Sequence, residues 1–420
     1  MSESAARLEK FAELDRRMVA AVRGIKLLAA ISWPAIVQTE FLQAWRAGRP
    51  LLPRVQYAKV DYSAVREELD AVRVAADAGH PVGDYLRRTA HSWAIATELL
   101  EAAGTPEFTG HSVRLFGRPG YRLPGGTVSN LDAARHFIEL ADELNREIVT
   151  SYADYCIPVE ILREDLQKII SAFFTHHEVK VEIDADLIAK AAAGPTRIRL
   201  RSSTCFSEYD KHQLLEHEAF VHSLTALNGR EQPNLKSLAL NSPRITATQE
   251  GLATFAELMS GSIDIGRMKR ISLRIIAIHN AMHGADFIDV FRFFHDAGQT
   301  ETDSFNSAMR VFRGAPLTGG SAFTKDTVYL HGLLSMHTFF RWALKNQKLK
   351  LCRGLFAGKM AMHDVLALEP YLDSGYIAAP LYLPPWMQRA NGMAGVLAFS
   401  LFANRIRLDR VEAEDLVLGV

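Results

Sequence analysis

The chain has 420 residues, 48% of them hydrophobic, which is enough to bury a large core without staples and more than one typical domain holds, so one large or two coupled domains are expected. Lys plus Arg number 48, as do Asp plus Glu, and a formal charge of zero offers no electrostatic footprint for nucleic acid or an anionic membrane. A small or locally charged partner fits better.

The three cysteines, Cys156, Cys205 and Cys352, are odd in number and lack a CxxC pair. They suggest neither a disulfide framework nor a thiolate zinc site, and the expected location is a reducing cytoplasm. The start, MSESAARLEK, lacks the basic and then apolar stretches of a secretion signal. The apolar run GMAGVLAFSLFA at 392–403 is too short to cross a bilayer and reads as a buried helix of a soluble protein.

Residues 1–105 place apolar positions at helical spacing among charges, as in LEKFAELDRRMVAAVRGIKLL, and predict several amphipathic helices. The Gly- and Pro-dense FGRPGYRLPGGTVSN, 116–130, is the best boundary, dividing a helical N-terminal region, 1–130, from the remainder, 131–420. A further helix is expected from about 131 to 148. VKVEID (179–184) and TRIRLRS (196–202) then alternate apolar and polar residues, predicting two half-buried strands joined by a short helix, ADLIAKAAA. Arg197, Arg199 and Arg201 share one face of the second strand.

Ser207 is a plausible N-cap for a helix running through 228 and ended by Gly229. It contains LLEHEAFVHSL, where His217 and Glu218 are adjacent and the next histidine, His222, follows five residues after the first. The familiar zinc hydrolase motif spaces its histidines four apart. On an ideal α-helix a five-residue spacing leaves them roughly 140° apart, too far around for one ion to reach both easily. A π-type bulge would return both imidazoles to one face, and such bulges occur disproportionately at functional sites. The alternative is two histidines making ordinary hydrogen bonds on a buried helix.

A competing pair, His279 and His283 in HNAMH, has the four-residue spacing but no glutamate after the first histidine; Asn280 cannot act as a base, so a structural role is expected. His176, His177 and His212 read as surface or supporting residues. LPGGTVSN and LTGGS lack the lysine and strand context of a phosphate loop and read as turns.

Downstream, in NSPRITATQEGLATFAEL, Thr246 and Gln249 form a T-x-x-Q capping-box pattern, so a helix should start there with Glu250 in its first turn. A carboxylate in that place is first a helix-start acid suited to the dipole, though the same position could present it to a cation, and Gly251 beside it permits close approach of another helix.

The ordered combination HEAFVH, TQEGLA and FTKDTVYLHG resembles the QEGLA-motif family, bacterial proteins labelled as modulators of flavohaemoglobin expression and related to microtubule-associated tyrosine carboxypeptidases of animals. The resemblance covers roughly residues 130–400. It implies that His217, His222 and Glu250 are zinc ligands and Glu218 the catalytic base, within an α+β, predominantly helical, zincin-like metallopeptidase whose small sheet lies beside the active-site helix.

The chemistry is coherent. Two imidazoles and one carboxylate leave a position on Zn2+ open for water, whose proton Glu218 would take before delivering one to the departing amine. In FTKDTVYLHG, Lys325 and Tyr329 are four apart near a helix start, with Thr324 available as cap. Tyr329 is a candidate oxyanion donor, and Lys325 and Arg244 are candidates for binding a substrate carboxylate. The alternative is that Lys325 and Asp326 cap the helix while Tyr329 packs. By analogy, the TRIRLRS strand could present its edge to an extended substrate.

The expected function is zinc-dependent removal of a C-terminal residue from a peptide or protein, with no nucleic acid or membrane partner and an oligomeric state left open. The other reading is a non-catalytic, metal-stabilised regulator acting through a partner.

Overall fold

A computed structural model describes residues 3–147, 156–185, 187, 189–202 and 204–405. Among them helices dominate, with one three-stranded sheet. Most core side chains join a single cluster that runs from Phe11 and Leu86 through Leu162 and Phe220 to Phe255 and Phe340. A second, aromatic-rich cluster packs Trp33 and Phe41 against Phe287, Phe291, Phe305 and Phe312. Both clusters draw on residues from either side of position 130, so the N-terminal helices are packed into the same body as the rest.

One N-terminal stretch, Ala5–Arg46, is long and apolar enough by composition to cross a membrane. It is divided into the helices Glu3–Val22, Leu27–Ala30 and Ala35–Arg46, whose Phe11, Leu14, Met18, Val37 and Phe41 are buried against the two clusters.

The sheet contains β1 (Lys180–Asp184), β2 (Ala191–Ala193) and β3 (Arg197–Arg201) in the order β1-β3-β2. β1 runs parallel to β3 and β2 antiparallel to it. Val181, Ile198 and Leu200 are buried while the alternating arginines are exposed or half-buried, as the pattern predicts. Two expectations are corrected. Residues 191–193 are strand where ADLIAKAAA reads as helix: Gly194 N–H donates to Arg197 O at 2.7 Å and Arg201 N–H to Lys190 O at 2.9 Å. These pairings with β3 outweigh the modest helix preference of three alanines. As a result TRIRLRS is the central strand, and the edge strand lining the cleft is β2.

Cys156 and Cys205 also depart from expectation, forming a disulfide beside the bridge that pairs Ile157 with Phe206; Cys352 is free and buried. Their separation of 49 residues hides the pairing from any spacing rule.

The helices Thr246–Ser260 and Val328–Lys345 cross in backbone contact at Gly251 and Gly332. A Cβ added at Gly251 would lie 2.4 Å from the Gly332 carbonyl, so the sequence needs glycine here for proximity rather than for a turn. We expect Gly251→Ala to lower stability by about 2 kcal/mol or more through forced separation of the two helices, measured by urea unfolding. A neutral effect would show that the helices can separate without cost.

The Glu3–Val22 helix is tied to the rest of the protein by a buried polar group. Ser237 donates both its backbone N–H and its hydroxyl to Asp15, and the Tyr85 hydroxyl lies 2.7 Å from Ser237 Oγ. Burial, partly offset by the Ser237 bonds, pushes Asp15 up to about 6 from its ordinary 3.8. The folded state therefore binds a proton more tightly than the unfolded chain. The stabilisation from protonated Asp15 is fully present below about pH 4 and is lost as pH rises through about 6. Relative to Asp15→Asn, the wild type should lose a few kcal/mol of unfolding free energy between pH 4 and 7, read from paired urea titrations across that range. A constant difference would mean that Asp15 stays ionised throughout.

Candidate metal and catalytic site

Ser207 starts the histidine helix with a full capping box: its side chain accepts from Asp210 N–H and the Asp210 carboxylate accepts from Ser207 N–H. After the α-helical Glu208–Leu214, the nine residues Leu215–Ser223 are π-helical, and Leu224–Arg230 returns to α-helix. The π segment spans both histidines, and its wider turn brings positions five apart onto one face. The rings of His217 and His222 lie 4.8 Å apart, nearly perpendicular.

Glu250 enters from the Thr246–Ser260 helix. Its Oε2 is 3.5 Å from Nε2 of His217 and 3.5 Å from Nε2 of His222. Among the described residues these three form the one cluster able to hold a metal ion, their ligand atoms all within 4.8 Å of one another. Glu250 Oε2 is buried and has no hydrogen-bond partner. A carboxylate oxygen buried between two imidazole nitrogens is the donor set and the unmet need that a divalent cation would satisfy.

The start of that helix differs from expectation in one respect. No capping box forms: Thr246 donates its hydroxyl back to Pro243 O at 2.8 Å, and Gln249 Oε1 accepts from Thr225 on the histidine helix at 2.9 Å. Gln249 therefore ties the two ligand-bearing helices together.

Two of these three residues have a supporting partner. His217 Nδ1 is 2.7 Å from Oε1 of Glu257, whose fully buried carboxylate accepts two 3.2 Å bonds from Arg267. Burial alone would depress the His217 pKa, but Glu250 and Glu257 reverse this and raise it to about 10, which shows how strongly the site favours positive charge at this imidazole. On the opposite side Lys325 Nζ donates to Glu250 Oε1 at 3.0 Å. Burial disfavours the Lys325 ammonium, yet Glu250, Tyr329 and Asp326 hold its pKa above the ordinary value.

Glu218 lines the same cleft, its Oε2 accepting from the backbone N–H of Ala193 in β2 at 2.9 Å. The cleft has a volume of about 1180 Å³ and is also lined by Trp93, Phe116, Tyr329 and Lys359. Tyr329 accepts a 3.4 Å bond from Arg310 Nη2, and Lys325 Nζ sits 5.3 Å from the centre of its ring. Thr324 does not cap the Tyr329 helix; it opens a short 3-10 turn, Thr324–Thr327, and is bound to Ser112 at 2.9 Å.

The structure thus brings His217, His222, Glu250, Glu218, Lys325 and Tyr329 to one cleft. Arg244 does not join them. Its guanidinium is spent on Asp364 in a bidentate pair at 2.6 and 2.7 Å, and it is not part of the cleft lining, so the expected substrate contact is withdrawn. The rings of His279 and His283 lie 4.1 Å apart, tilted by 40°, but belong to no metal-binding cluster among the described residues, and His177 is bound to Tyr382 and Glu231.

Sequence reasoning missed Glu257, although it lies seven residues after Glu250, two turns along the same helix. It also missed Arg310, Arg313 and Lys359, which no local motif announces.

A family model described as microtubule-associated tyrosine carboxypeptidase matches residues 39–405. The chain belongs to that family. Among curated proteins none matches it. Membership makes it one of a carboxypeptidase family, whose substrates are peptides or proteins. The match begins well before residue 130, so most of the helical N-terminal region is part of the family's shared body and supplies cleft residues such as Trp93 and Phe116.

Removing Glu257 would leave the His217 ring without its orienting acceptor and Arg267 without its anion. We expect Glu257→Gln to weaken metal affinity by about 10- to 100-fold, measured by competition with a chromogenic chelator. Unchanged affinity would assign Glu257 to packing alone.

Proposed function

We propose that this protein is a zinc-dependent, zincin-like carboxypeptidase that removes a C-terminal residue from a peptide or protein. The observation that carries the reading is the convergence of His217, His222 and Glu250 within 4.8 Å, with a partnerless carboxylate oxygen between the imidazoles and Glu218 in the same cleft.

His217, His222 and Glu250 would hold the ion. When bound, zinc polarises a carbonyl oxygen and lowers the pKa of a water. The remaining work falls to the chain. With Oε2 fixed by the Ala193 amide, Glu218 has Oε1 left to take a proton from the attacking water and pass it to the departing amine nitrogen. Tyr329 would donate to the oxyanion; because Arg310 donates into its hydroxyl oxygen, the hydroxyl proton is left to point elsewhere. Lys325, paired with Glu250, tunes a ligand and is not free to bind substrate.

Among the described residues β2 pairs with β3 alone, and Ala191, Ala192 and Ala193 line the cleft, so its outer edge, apart from the Ala193 amide held by Glu218, suits an extended peptide backbone. The family description names a C-terminal tyrosine, and the apolar walls formed by Ile25, Trp93, Phe116 and Met309 are compatible with an aromatic side chain.

The test is elemental analysis of the full chain together with release of a C-terminal amino acid. About one zinc per chain is expected, lost in His217→Ala and Glu250→Ala. Glu218→Gln should keep the metal while hydrolysis falls by about 10²- to 10⁴-fold. A wild type that takes up no metal when supplied with zinc, or a Glu218→Gln variant of full activity, would sink the proposal.

A further inference from the structure

A carboxypeptidase must recognise the charge that distinguishes a chain end from an internal peptide bond. Of the two cations that the sequence nominates, Lys325 is paired to Glu250 and Arg244 to Asp364. The cleft holds two other buried or half-buried cations for which the described residues supply no carboxylate partner, Arg313 and Lys359. Lys359 Nζ donates to Asn241 Oδ1 at 2.6 Å and interacts with Glu250 and Glu218, so its surroundings already carry negative charge.

Arg313 stands in the opposite environment. Its Nε is buried and has no hydrogen-bond partner, and its guanidinium lies 5.4 Å from the centre of the Phe323 ring. The surrounding charge does not balance. Arg310 and Arg274 share Asp326, at 2.7 and 3.7 Å, and Arg313 adds a third guanidinium to that single carboxylate. Burial, then repulsion by Arg310, pushes Arg313 down to about 10. A half-buried guanidinium with a buried, partnerless Nε and only a share of one carboxylate is costly and would be relieved by a bound anion. Its planar fork matches a carboxylate in two-point geometry, which an ammonium cannot do. It also lies on the Tyr329 side of the cleft, where the proposed oxyanion donor sits.

We infer that Arg313 is the residue that binds the substrate's terminal carboxylate and so restricts the enzyme to chain ends. This rests on the carboxypeptidase reading above. Arg310, committed to Asp326 and Tyr329, holds the flank of the subsite without contacting the substrate.

The experiment compares two peptides ending in tyrosine, identical except that one has a free carboxylate and the other a carboxamide. They are tested on the zinc-loaded wild type, Arg313→Gln, Arg313→Lys and Lys359→Met. Metal content and melting temperature are followed in parallel. Binding of both peptides to Glu218→Gln, with and without Arg313→Gln, is measured by calorimetry.

The wild type should prefer the acid by roughly a hundredfold or more in kcat/KM. Arg313→Gln should reduce the preference to within about threefold in both turnover and binding, with metal content unchanged. Arg313→Lys, which keeps the charge but loses the fork, should reduce it at least about tenfold and carries the test if the glutamine variant does not fold. Lys359→Met should keep it.

Retention of the full preference in either Arg313 variant, or its loss in Lys359→Met, overturns the assignment while leaving the carboxypeptidase intact. A wild type that cleaves both peptides equally overturns it as well. A fully metallated wild type that neither cleaves nor binds either peptide removes the parent reading, and this assignment with it.

Discussion

The contact between Gly251 and Gly332 sets the geometry on which the site depends. With no side chain on either glycine, the Thr246–Ser260 and Val328–Lys345 helices approach to backbone contact. Glu250 is the residue before one glycine, and Lys325 and Tyr329 lie a turn or two before the other. The close approach therefore delivers Glu250, its cationic partner Lys325 and the Tyr329 phenol to one cleft. Larger side chains would separate the helices and open the 3.0 Å pair between Lys325 and Glu250.

The histidine helix meets the same cleft by a different device. Nine π-helical residues have poorer hydrogen-bond geometry than α-helix and are sustained by the structure around them. Phe220 and Val221 are buried in the core, Thr225 is bound to Gln249 and Ser223 to Gly194 O, and Glu218 is bound to Ala193. The distortion is held from the sheet on one side and from the Glu250 helix on the other. His217 is further held by Glu257 and Arg267, so its ring is already oriented in the arrangement the proposed ion would need.

Much of this is local and therefore legible in sequence. The five-residue histidine spacing conflicts with α-helical geometry, and the π segment is the resolution that the conflict predicts. Gly251 next to Glu250 announces a close helix contact, and the period-two pattern of TRIRLRS announces a strand with buried Ile198 and Leu200. The misses arise where long-range pairing decides. Three alanines favour helix in isolation and become β2 because β3 offers hydrogen bonds. Thr246 and Gln249 have a capping-box pattern, but a 3-10 turn just before them and Thr225 across the cleft claim their polar groups. Arg244 looks like a free cation beside the site until Asp364, 120 residues later, is placed against it.

Charge shows the same limit most clearly. A total of zero over the chain argues against a charged partner, yet among the described residues lining the cleft nine are Lys or Arg and only two are acidic, Glu218 and Glu250. Composition cannot register this, because the compensating acids lie elsewhere on the protein. Charges facing a cleft are screened less than charges in open solvent, so the local excess acts on a substrate more strongly than the neutral total implies. The balance is closest at the histidine pair, where Glu250 meets two imidazoles and Lys325, and poorest beside Tyr329, where three guanidinium groups face one carboxylate. The protein therefore balances its own charge around His217, His222 and Glu250 and leaves the Tyr329 end with an excess of positive charge, which is where the proposed substrate carboxylate would be neutralised.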